Sequence, residues 1–175
     1  AMKHLISEFG SPFAVGWLFT SFGLSSAMCA AIGSRIGDLY GRRRILLLAI
    51  AVGGLGSFIA GMSTGISGVM LGRVMQGSSG AILPLCIGLV RENVNKERAP
   101  LAIGMLTATV TISAGFALII GGAVLDLMSW RAIFFVGASV ACLALSLVFL
   151  WVPSSKEVLK REPKSENVNF LGGLL

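Results

Sequence analysis

The chain has 175 residues, of which 55% are hydrophobic and only 13% charged, and its 14 Lys and Arg against 8 Asp and Glu give a formal net charge of +6. In a soluble protein that balance would suggest a nucleic-acid partner, but here the cations sit in short segments between long uncharged runs, so no nucleic acid is expected. The pattern is that of an all-α integral membrane protein, with a lipid bilayer as its first partner.

Residues 1–12 are polar and hold the single histidine, His4, read as a solvated residue of the chain end. The first uncharged run, about Phe13 to Gly33, has the length that crosses a hydrocarbon core, about 20 residues as a helix. Trp17 lies near its outer end, where an indole favours the interface. Gly16, Gly23, Ala27, Ala30 and Ser34 recur at helical spacing and predict a packing seam for another helix.

The segment Ser34 to Ile45, SRIGDLYGRRRI, follows with Arg35, Asp38, Arg42, Arg43 and Arg44. It predicts a short basic hairpin turn on the cytoplasmic side. The second span, about Ile45 to Met62, has Ala49, Gly53, Ser57 and Gly61 at four-residue spacing, which predicts a packing seam with no polar site. A short uncharged turn, Ser63 to Ser67, leads into a third span of about Gly68 to Val90, which contains Arg73.

Arg91 to Pro100 forms a second charged loop, and Pro100 opens the next helix at a favoured early position. The fourth span, about Leu101 to Leu125, has hydroxyls at Thr107, Thr109, Thr111 and Ser113. A turn from Asp126 to Arg131 places Trp130 at the interface, and the fifth span runs from about Ala132 to Trp151. Residues 1–153 thus read as one transmembrane bundle, 154–169 as a hydrophilic cytoplasmic linker, and 170–175, FLGGLL, as the start of another apolar run.

The turns after the first, third and fifth spans hold Arg35, Arg42, Arg43, Arg44, Arg91, Lys96, Arg98, Lys156, Lys160, Arg161 and Lys164, against Lys3 and Arg131 on the opposite side. This asymmetry predicts a cytoplasmic (plasma, or inner) membrane protein with its chain start outside and the tail after Pro153 in the cytoplasm. Cys29, Cys86 and Cys142 all fall within apolar runs and read as small buried hydrophobes.

Arg73 carries the strongest functional signal. An ionised guanidinium is costly against lipid, so such residues face a bundle interior or a wet cavity. Arg73, Gln76, Gly77, Gly80 and Pro84 recur at the spacing of one helix face and are read as a substrate or proton pathway. The competing reading is an arginine that snorkels to the surface. Asp38 reads equally as a solvated carboxylate or as one that pins its turn against another helix end, with Gly37 and Gly41 permitting close approach. Gly115, Gly121 and Gly122 read as helix packing or as a flexing point. No phosphate loop, metal-ligand spacing or Ser/His/Asp set is present, so no enzyme is expected.

These segments resemble the major facilitator superfamily, and within it the drug:proton antiporters. SRIGDLYGRRRI is similar to the loop signature G-x-L-a-D-r-x-G-R-[RK]-x-l, with Gly37, Asp38, Gly41, Arg42 and Arg43 matching; Ser34 and Leu39 replace a Gly and a basic residue. LGRVMQGSSGA resembles the l-x-x-x-R-x-x-q-G motif at Arg73, Gln76 and Gly77. Trp130, Arg131 and Phe134 resemble W-R-x-x-F. Of the antiporter motif G-x-x-x-G-P-x-x-G-G, only Gly121 and Gly122 keep register, with Ser113, Ala117 and Leu118 at the other positions.

The resemblance implies that the five spans are the family's second to sixth helices. Their partners would be the first helix and the C-terminal half of the same polypeptide. It also implies transport of a small-molecule substrate by alternating access, as multidrug efflux driven by a proton gradient with no cofactor. Gly37, Asp38, Gly41, Arg42 and Arg43 would form a conformational latch to the other half. The alternatives are a uniporter or symporter for a sugar, amino acid or organic acid, and a non-transporting membrane receptor or scaffold.

Overall fold

A computed structural model describes residues 12–152, and all its long elements are helices. They are α1 (Pro12–Tyr40), α2 (Arg42–Met62), α3 (Ile66–Gln76), a 3-10 segment (Gly77–Ala81), α4 (Ile82–Asn93), α5 (Ala99–Leu127) and α6 (Trp130–Trp151). With α3, the 3-10 segment and α4 taken as one crossing, five helices are long and apolar enough to span a membrane. The linker at 154–169, the apolar start at 170–175 and His4 lie outside the described residues.

The first crossing is longer than its uncharged run. α1 continues through Arg35 and Asp38 to Tyr40, so the expected hairpin turn is reduced to Gly41 alone. At about 1.5 Å per residue, its 29 residues measure about 43 Å, enough for the hydrocarbon core and both headgroup layers. Charge ends the hydrocarbon-compatible stretch, but it does not end a helix. Gly41 does that with φ +95°, the only positive φ among the described residues and a value that L side chains avoid.

The third crossing departs from a single continuous helix. Pro84 has no N–H to donate to the carbonyl of Gly80, four residues earlier, and its ring crowds that turn. The Gly77–Ala81 stretch ahead of it tightens into the 3-10 form. Hydroxyls bond backbone carbonyls on either side of it. Ser25 Oγ donates to the Val74 carbonyl at 2.7 Å, and Ser78 Oγ to the Ala49 carbonyl at 2.8 Å.

α2 is the hub, packed against α1, α3, α4 and α6. Two apolar clusters surround it: Leu18, Ala60, Val69 and Trp130 towards one end, and Leu46, Ala49, Ile50, Ala81 and Leu85 towards the other. α2 and α3 meet at Gly56 and Gly72, where a Cβ on Gly56 would lie 2.7 Å from the Gly72 carbonyl oxygen. In α2, Ala49, Ser57 and Gly61 are buried, and Gly53 faces Ser78.

The seam on α1 is not the predicted one. Gly16 and Gly23 face open space, whereas Gly33 sits on Ala81 and Gly37 on Leu85. α1 has small residues on two faces, and periodicity alone does not say which of them meets the bundle. α5 has no buried residue in its span and touches α4 and α6 only lightly. A Cβ at Gly115, Gly121 or Gly122 would meet nothing within 4 Å, so no packing role for them exists among the described residues.

Candidate functional site

Arg73 lies in the last turn of α3, half-buried, and its side chain turns into the bundle. One terminal N–H donates to Gln76 Oε1 at 3.0 Å, and Nε lies 3.5 Å from the carbonyl oxygen of Leu18 on α1. The guanidinium carbon sits 4.7 Å from the centroid of Phe22 and 5.5 Å from that of Phe19. Ring faces attract a cation by their quadrupole, more so once it has lost water. These contacts are all internal, so Arg73 does not snorkel.

The network continues from Gln76. Its Nε2 donates to Ser57 Oγ at 2.8 Å, and the Ser57 hydroxyl donates to the Gly53 carbonyl at 3.1 Å. A polar chain therefore runs from the cation on α3 to the backbone of α2, beside the aromatic rings of α1. This corrects the reading of α2 as a seam without a polar site. Ser57 resembles a small packing residue in sequence, and only its position opposite Gln76 reveals the acceptor. Gln76 and Ser57 both border a cavity of about 440 Å³ between α1, α2, α4 and α6, with Phe22 and Ser79 also on its wall.

The five residues predicted on one face divide into two groups. Arg73 and Gln76 share the network. Gly77 and Gly80 are pressed against Ser25 and Ser26 of α1, with no room for a Cβ. They let helices approach rather than line a path, and Pro84 shapes the 3-10 segment ahead of it. Arg73, Gly77 and Gly80 all face α1, and what divides them is the side chain: Arg73 has one long enough to reach Gln76, and the glycines have none.

A second cluster closes the turn end of the bundle. Arg42 Nε donates to Asp38 Oδ1 at 2.9 Å, a terminal nitrogen lies 2.8 Å from the same oxygen, and Nε lies 3.3 Å from Glu92 Oε1 on α4. The Arg42 stem crosses Gly88 of α4, where a Cβ would collide with the guanidinium. Arg43 donates to the Phe149 carbonyl at 2.7 Å and lies 5.8 Å from the ring centroid of Phe149, tying the start of α2 to the end of α6.

Asp38, 55% exposed, is thus bonded to Arg42 rather than merely solvated. Glu92 does not stand out in sequence, where it is one charge among five in its loop. Gly37 gives close approach, since a Cβ there would run into Leu85, and Gly41 does not. Gly41 has nothing within 4 Å and serves the backbone turn instead.

The sequence model of the Major Facilitator Superfamily matches residues 1–173. An uncharacterized MFS-type transporter of Mycobacterium tuberculosis is 29% identical over 176 residues, covering 100% of this chain and 25% of its own length. The lincomycin resistance protein of Streptomyces lincolnensis is 29% identical over 159 residues, 91% of this chain and 32% of that protein. Azole resistance protein 1 of Saccharomyces cerevisiae is 34% identical over 76 residues, 43% of this chain and 12% of that protein. The chain spans about a quarter of the length of the mycobacterial relative and about a third of the lincomycin resistance protein. With an all-helical bundle, two charged or polar clusters at motif positions and a family match over nearly its whole length, the chain belongs to the Major Facilitator Superfamily, a family of membrane transporters and not of enzymes.

Proposed function

We propose that this chain forms part of the N-terminal half of a secondary active transporter that exports small amphipathic compounds by alternating access, driven by a proton gradient with no cofactor. The observation that carries the reading is the Arg73–Gln76–Ser57 chain, which crosses from α3 to α2 beside the 440 Å³ cavity. Arginine does not release its proton at any working pH, so Arg73 is a fixed charge and not the carrier. Among the described residues no carboxylate forms an ion pair with it. A fixed cation in a membrane interior favours the ionised form of any carboxylate brought beside it, and protonation of that partner weakens the attraction. That is the chemistry a proton-coupled cycle needs.

The names of the relatives support export, since two of them are resistance proteins. At the other cluster, Asp38, Arg42 and Glu92 would latch the bundle in one state of the cycle. A uniporter or symporter is the second reading, favoured by Ser113, Ala117 and Leu118 at antiporter-motif positions of α5. Proteoliposomes of the full-length protein separate the two. Uptake of a lipophilic dye into inverted vesicles should require an acid interior, and uptake indifferent to the pH gradient would reject proton-coupled export.

A further inference from the structure

A groove of about 710 Å³ lies where α4 ends and α5 begins, on the same membrane face as the Asp38–Arg42–Glu92 cluster. Arg91 and Lys96 line it together with Val94, Pro100, Ile103 and Gly104. Among the described residues neither cation makes an ion pair, and the nearest carboxylate in sequence, Glu92, is turned to Arg42. Glu97, on the same turn, does not line the groove.

Two features together define the ligand. A dissolved anion would be served by the cations alone, and an apolar solute by the apolar lining alone. Here the cations stand at the water boundary of a helix that is apolar from there on, at headgroup height. The lining reaches Gly104 on α5, where a Cβ would meet nothing within 4 Å, so the groove is open on that side. Beyond the groove, the Thr107 hydroxyl is spent on the carbonyls of Ile103 and Gly104 at 3.1 and 2.9 Å, so the next turn of α5 presents a hydrocarbon chain with no unpaired hydroxyl donor.

We propose that this groove binds one anionic phospholipid. Arg91 and Lys96 hold the phosphate, and an acyl chain lies over Ile103 and Gly104 along α5. Each cation near a headgroup strengthens binding of an anionic lipid by about fivefold, so two predict a preference of about twenty-five-fold over a zwitterionic lipid. The inference does not depend on what the protein transports.

The test titrates the purified full-length protein in detergent with phosphatidylglycerol and phosphatidylcholine, reading bound lipid by native mass spectrometry. Phosphatidylglycerol should bind with that preference, and the Arg91→Gln, Lys96→Gln double variant should lose it. Arg35→Gln with Arg44→Gln, which removes two exposed cations outside the groove, should keep it. Gly104→Phe should weaken phosphatidylglycerol binding several-fold with unchanged helicity, because its ring occupies the groove. Glycerol phosphate should not displace the lipid. Equal binding of the two lipids, an equal loss in both double variants, or displacement by glycerol phosphate would each overturn the proposal.

Discussion

Gln76 donates to Ser57 across the α2–α3 interface at 2.8 Å while accepting from Arg73 at 3.0 Å on the other side of its amide. One side chain thus joins a membrane-embedded cation to a hydroxyl on the central helix, and it fixes the amide in one orientation, oxygen towards Arg73. Ser57→Ala removes the acceptor and leaves a half-buried N–H unpaired. Interhelical hydrogen bonds in membranes are worth about 0.6–2 kcal/mol, so a small loss of thermal stability is expected. Transport should fall more than stability does, because the orientation of Gln76 also sets that of Arg73. Equal transport in the variant and the parent, measured in proteoliposomes, would separate Ser57 from the network.

Gly37 in the last turns of α1 and Gly41 in the turn after it should fail for different reasons. Gly41→Ala places a Cβ on a backbone with φ +95° and nothing nearby to clash with, so strain of about 1–2 kcal/mol is expected. Gly37→Val instead drives a branched side chain into Leu85 and should separate α1 from α4, costing about 1–3 kcal/mol. Thermal unfolding of each variant, combined with Leu85→Ala, decides the matter. The smaller Leu85 side chain should rescue Gly37→Val and leave Gly41→Ala unchanged.

Asp38→Asn and Glu92→Gln probe the charged cluster. Both carboxylates are substantially exposed, so either loss should cost about 0–1 kcal/mol of stability. If the cluster latches one state of the cycle, a differential of about 1.4 kcal/mol shifts the two populations tenfold. Slow turnover with substrate affinity preserved is the expected outcome for both. Unchanged turnover would leave the cluster a structural tie between α1, α2 and α4.

Much of the bundle is legible in the sequence because charge is so scarce. Runs without a single ionised residue mark every crossing but the third, which holds Arg73, and the cations of the turns gather at one end of them. Boundaries are less legible, since Arg35 and Asp38 look like loop residues yet continue α1 as far as Tyr40. Faces are less legible again. Gly16 and Gly23 promise the same close packing as Gly33 and Gly37, and only the positions of Ala81 and Leu85 distinguish them. Within the candidate site, Arg73 and Gln76 are identifiable because each is expensive in hydrocarbon. Ser57 and Phe22 are not, because in an apolar helix a serine passes for a small residue and a phenylalanine for a lipid-facing one.

Topology has a direct test. Ser67 is exposed at the start of α3, whereas Ser63 spends its hydroxyl on the Ile59 carbonyl at 2.7 Å and crowds Gly68. Ser67→Cys is therefore the better reporter, in a background with Cys29, Cys86 and Cys142 replaced. An impermeant maleimide should label it in intact cells. Labelling only after permeabilisation would invert the orientation.

The central claim is that Arg73 acts from inside the bundle as a fixed charge on the transport path. The measurement that tests it most directly compares substrate binding with gradient-driven transport in the full-length protein for Arg73→Ala and Arg73→Lys. Arg73→Ala should insert and fold, yet lose coupled transport by about tenfold or more, within the usual range of coupling energies. Arg73→Lys should recover only part of it, because an ammonium restores the charge but not the planar fork that reaches Gln76 and lies over Phe22. Normal gradient-driven transport by Arg73→Ala would contradict the account and leave the network a packing device.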